Sequence, residues 1–135
     1  MTAPLLILAA QPPLNWTFGW ACILAAFLTG AVIGLGIHRD HFLGGYSSLR
    51  RRILRLGHIA LAALGMLNIL FALAPWPAAD NMPARLASLC FIAGAVLMPA
   101  VCFLTAWREP FRHLFFLPIA SLIVAVLAVL IGASS

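Results

Sequence analysis

No lysine occurs in this chain, and only three of its 135 residues are acidic. Charged side chains make up 8% of the composition, where a soluble domain carries about 25%. No ionisable residue stands in the middle of an apolar run, where ion-coupled transporters place such groups. Equally missing are a phosphate-cradling glycine loop after a strand, a nucleophile elbow and a zinc-protease helix motif. An enzyme acting alone is therefore not the expectation.

Cysteine is sparse as well. Cys22, Cys90 and Cys102 all lie in apolar runs, with no CxxC pair and no zinc-site spacing, which disfavours thiol–disulfide chemistry. Cys90 and Cys102 are twelve residues apart, about 18 Å on one helix and too far for a disulfide. A bond between Cys22 and Cys90, which share one end of the runs, stays geometrically open. Burial as small hydrophobes is the simpler expectation.

What is abundant is apolar surface. Hydrophobic residues reach 64% of the chain, and the mean hydropathy is +1.10. Crossing the hydrocarbon core takes roughly 20 apolar residues in a helix. Four stretches qualify: about 16–37, 56–74, 86–107 and 114–132. The fold class is thus all-α, an integral-membrane antiparallel four-helix bundle forming one domain over 1–135, since the short connections force consecutive helices to run antiparallel as neighbours. Met1–Leu14, broken by Pro12 and Pro13, reads as an external lead-in rather than a signal peptide, because no basic residue precedes its short apolar run.

Arginine placement orients the bundle. The first connection carries Arg39, Arg50, Arg51, Arg52 and Arg55, the third carries Arg108 and Arg112, and the second has Arg85 with Asp80. The positive-inside rule puts the first and third loops in the cytoplasm and both termini outside. Trp16, Trp20 and Trp76 then belong to the outer aromatic belt, Trp107 to the inner one. The net charge of +5 is read as attraction to anionic lipid headgroups, not as a nucleic-acid surface.

Local signals refine the spans. Ser47-Ser48-Leu49-Arg50 contains a natural helix N-cap. Pro99 and Pro118 predict kinks in the third and fourth helices. Asn68, deep in the second helix, is expected to hydrogen-bond across helices. Ala26, Gly30, Gly34 and His38 form a stripe of fourfold spacing, which suits helix contact or leaves room for a flat cofactor. Arg39-Asp40-His41-Phe42 and Arg108-Glu109-Pro110-Phe111 share the pattern arginine–acid–x–phenylalanine, as a duplicated hairpin or ordinary interface chemistry would produce.

The histidines carry the main chemical signal. His38 closes the first run, His41 follows it, His58 opens the second and His113 the fourth, all at the arginine-rich face. His38 and His58 from facing helices would ligate a b-type heme, with Arg51, Arg52 and Arg55 near its propionates. Alternatively His38, His41, His58 and His113 would hold a transition metal ion. A third possibility is no cofactor, the imidazoles contacting headgroups and carbonyls.

The segment Arg55-Leu56-Gly57-His58-Ile59-Ala60, followed by Asn68, resembles a stretch of bacterial four-helix membrane proteins; the resemblance implies no activity. A bacterial cytoplasmic membrane is the expected location. Two functions follow: an accessory subunit packing against larger membrane partners or itself, in a respiratory or photosynthetic assembly, or a heme- or metal-binding module for electron transfer or sensing.

Overall fold

Proline and serine set where the helices begin. The computed structural model describes residues 13–74 and 82–134. Helix α1 spans Pro13–Ile37, α2 Leu49–Leu73, α3 Met82–Trp107 and α4 Phe116–Ser134. Short 3-10 segments at Phe42–Gly44 and Glu109–Phe115 join the pairs α1–α2 and α3–α4. Pro13 opens α1 and Pro83 lies in the first turn of α3, positions where the missing N–H has no helical acceptor to lose.

Ser48 caps α2: its hydroxyl accepts from the Arg51 N–H at 3.3 Å and donates to the Leu43 carbonyl at 2.7 Å. The helix therefore starts at Leu49, seven residues ahead of the apolar span that begins at Leu56. Four arginines in its opening turns oppose the dipole; Arg50 and Arg52 are exposed, Arg55 is half-buried and Arg51 is buried.

The connection before α2 is tight. Leu43 has φ 54°, and Gly44 and Gly45 have φ 87° and 89°, the left-handed region that glycine enters without a Cβ clash. Leu43 pays for none of this alone, since the Ser48 hydroxyl holds its carbonyl. Phe42 folds back so that a Cβ on Gly36 would lie 2.7 Å from the Phe42 ring.

Pro118 does not kink α4. It lies in the first turn, and α4 begins at Phe116. Without an N–H, Pro118 cannot bond the Leu114 carbonyl, so the regular α ladder cannot extend upstream and the chain runs as 3-10 helix instead. Pro99 lies inside α3, as expected, and is buried. The lead-in expected at Met1–Leu14 lies outside the described residues up to 12, while Pro13 and Leu14 are already helical. Trp76 and Asp80 also lie outside the described residues.

Four helices, each long and apolar enough to cross a membrane, pack as an antiparallel four-helix bundle. α2 and α3 form its central pair, α1 leans chiefly on α2 and α4 chiefly on α3. Of the most apolar windows, 39% of α2 and 44% of α3 are buried, against 22% of α1 and 17% of α4. The two flanking helices therefore turn most of their surface outward.

Glycine notches bring the backbones together. A Cβ on Gly19 would meet the Gly65 carbonyl oxygen at 2.6 Å, and one on Gly94 would meet Leu122 Cδ2 at 2.5 Å. In lipid, where apolar tails compete equally for apolar surface, close backbone approach is what favours helix on helix. At the end opposite the arginine cluster, Phe71, Ala87, Phe91, Ala125 and Ala128 form the core. The Phe71 and Phe91 rings are tilted, 5.3 Å between centroids.

Candidate functional site

Two polar clusters stand out in the apolar bundle, one near each end. At the end opposite the arginine cluster, Asn15 of α1, Asn68 of α2 and Ser88 of α3 meet in a buried knot. The Asn15 amide donates to Asn68 Oδ1 at 2.8 Å and to the Ser88 carbonyl at 3.4 Å. Ser88 Oγ donates to Asn15 Oδ1. The Asn68 amide in turn donates to the Leu64 carbonyl at 2.9 Å and the Phe91 carbonyl at 3.5 Å. Both asparagines are wholly buried. The expected cross-helix bond of Asn68 is thus found, and the knot ties three helices.

The second cluster holds His58. Its Nδ1 lies 3.2 Å from Thr29 Oγ1, while that hydroxyl bonds the Ala25 carbonyl at 2.8 Å and the Ala26 carbonyl at 3.1 Å. A hydroxyl has one hydrogen, and with it directed at these carbonyls the imidazole donates from Nδ1. The ring fills the notch of Gly30, where a Cβ would lie 2.7 Å from His58 Cε1. His58 and Gly65 share the face toward α1, as their spacing predicts.

This arrangement divides the expected stripe. Ala26 is buried, Gly30 receives His58, Gly34 has nothing within 4 Å, and His38 is exposed beyond the helix end. The space beside Gly30 is filled by a side chain of the protein itself. His58 opens the apolar run but is the tenth residue of α2, and it sits level with Gly30. His38 lies eight residues further, roughly 12 Å along the axis. His38 and His58 are therefore not brought face to face.

His41 and His113 are exposed in the two connections. Among the described residues, no three of histidine, cysteine, aspartate and glutamate gather closely enough to hold a metal ion. The expected metal set His38, His41, His58 and His113 is not assembled, because the helix start at Leu49 carries His58 into the bundle while the others stay in the loops.

The arginines expected near propionates have other partners. Tyr46 lies between Arg51 and Arg55, whose guanidinium carbons stand 5.5 and 5.3 Å from its ring centre. Arg51 is buried, and Arg52 donates to the Ser47 carbonyl at 3.2 Å. Arg51, Arg55 and His58 nevertheless share one face, at i, i+4 and i+7. Sequence reasoning missed the roles of Asn15, Ser88 and Thr29. Small polar residues in apolar runs were the available signal, but their partners on other helices are set by rotation.

The cysteines are separate. Cys22 packs beneath Gly65 and Cys102 beneath Gly57, and the Cys90 carbonyl accepts from Ser121 Oγ at 2.8 Å. All three are free thiols, so the bond left open between Cys22 and Cys90 is not formed. The two arginine–acid–x–phenylalanine motifs do form like turns. Phe42 donates its N–H to Arg39 at 3.0 Å, and Phe111 donates to Arg108 at 3.2 Å.

Apolar grooves lie on the outside of the bundle. One of 460 Å³ is lined by Leu28, Val32, Phe42, Leu43, Leu54 and Phe103, with Thr29 and Ile33. A second of 390 Å³ continues from Phe103 toward the opposite end between α1 and α3. A third, of 370 Å³, lies on α4 along Ile119, Ile123, Val126 and Leu127. Compared with known protein families, characterised proteins and solved structures, the chain matches none.

Proposed function

We propose that this protein is a small non-catalytic subunit of the bacterial cytoplasmic membrane that packs laterally against larger membrane partners, with its arginine end in the cytoplasm. One observation supports the reading above others: α4 leans on α3 and leaves the rest of its apolar length, including the groove along Ile119, Ile123 and Leu127, facing outward. A helix held on one side only is suited to receive another transmembrane helix on the other. The interior, by contrast, is closed by glycine notches and by His58.

The test is a photo-crosslinking residue placed at Ile123 in native membranes. A discrete protein adduct that disappears when Ala120→Trp fills the same face is the expected result. Adducts to lipid alone would overturn the proposal. The cofactor alternative now turns on His58, the imidazole held within the helix pair. A Soret band in the purified protein, lost in His58→Ala, would displace the subunit reading.

A further inference from the structure

The groove at the arginine end is apolar along its length and has the exposed Arg50 one helical turn beyond it, and we infer that it is a binding site for one anionic diacyl phospholipid. Its walls are Leu28, Val32 and Ile33 of α1, Leu54 of α2 and Phe103 of α3, with Phe42 and Leu43 lining it at the arginine end. Phe42 stands level with Gly36, so the groove follows α1 for about 12 Å. Beyond Phe103 the second groove carries the trough on toward Phe18 and Ala21, a path long enough for an extended acyl chain.

The mouth supplies the headgroup contact. Arg50 precedes Leu54 by four residues, so it stands one turn above the groove on the same helix face, and it is exposed. The Leu43 turn and the arginine-bearing turn are fastened together, because Ser48 Oγ bonds both the Leu43 carbonyl and the Arg51 N–H. Seven arginines and only two carboxylates, Asp40 and Glu109, occupy this end of the molecule. Phosphate accepts from guanidinium in a charge-assisted pair, while the acyl chain covers Leu28 and Val32, which are 61% and 70% exposed in the protein alone. Charge at one end and hydrocarbon below it select a lipid over a free phosphate.

The experiment uses the full chain in detergent, mixed with phosphatidylglycerol and phosphatidylcholine of identical acyl chains, and read by native mass spectrometry. One retained lipid, preferentially phosphatidylglycerol, is expected. Arg50→Gln should lower that preference about fivefold, the worth of one basic residue at an anionic surface. Val32→Trp should displace lipid of either headgroup by filling the trough, with helical circular dichroism unchanged. Inorganic phosphate at millimolar concentration should not compete. Equal retention of the two lipids, or retention untouched by Val32→Trp, would overturn the inference, as would protection of the trough by a partner helix that leaves no lipid bound.

Discussion

At the scale of single residues, buried polar groups contrast in how fully they are satisfied. The Asn15–Asn68–Ser88 knot satisfies its members, and removing one leaves a buried partner exposed to hydrocarbon. Asn15→Ala is expected to destabilise the bundle by about 1–3 kcal/mol, measured as a lower thermal midpoint in detergent. The paired change Asn15→Leu with Asn68→Leu should cost less than the sum of the singles, because their mutual bond is lost only once and neither amide is left facing an apolar partner, while Ser88 Oγ still loses its acceptor. Thr105 is the opposite case. It is 2% exposed, and its hydroxyl has no hydrogen-bond partner among the described residues. Thr105→Val keeps the shape and removes that burden, so a gain of roughly 1 kcal/mol is expected in the same measurement.

At the scale of elements, the helix contacts depend on where glycine lies rather than on how much of it there is. Gly65 and Gly34 are both helical glycines. A Cβ at Gly65 would lie 2.8 Å from the Gly19 carbonyl oxygen, which is backbone and cannot step aside, whereas Gly34 has open space. Gly65→Ala should therefore force α1 and α2 apart and lose about 1–3 kcal/mol. Gly34→Ala should be neutral or stabilising by up to about 1 kcal/mol. Chemical unfolding of the two variants side by side reads the contrast. The Ser48 cap is the matching control for α2: Ser48→Ala is expected to cost about 1 kcal/mol or somewhat more, since the same hydroxyl also holds Leu43.

At the scale of the whole molecule, the two ends differ in character. Trp16 and Trp20 stack edge to face at 5.9 Å at one end, and Arg108 sits 5.4 Å over the Trp107 ring at the other. Both pairs suit the interfacial belts of a bilayer. If the arginine end faces the cytoplasm, a single cysteine at Ser47 should be labelled by an impermeant maleimide only in opened cells. One at Arg85 should be labelled in intact cells once the outer membrane is permeabilised. The reverse pattern would invert the proposed orientation.

How much was legible follows from range. The four spans, their antiparallel order, the Ser48 cap and the cross-helix bonding of Asn68 were readable because hydropathy, proline, serine capping and a lone amide act over a few residues. The start of α2 within Ser47–Arg50 was legible in its serine cap; the depth of His58 was not, because the helix runs seven residues before the apolar span opens at Leu56. His58 is therefore the tenth residue of α2 and sits opposite Gly30, not opposite His38.

Composition and local chemistry therefore specified a helical membrane protein with one strongly basic end. Helix rotation and relative depth decided the rest: which glycine received the imidazole, which amide found which hydroxyl, and which flanks stayed open. Those depend on three-dimensional packing between residues as far apart as Asn15 and Ser88. In a chain this uniformly apolar, periodicity carries little record of which way each helix turns.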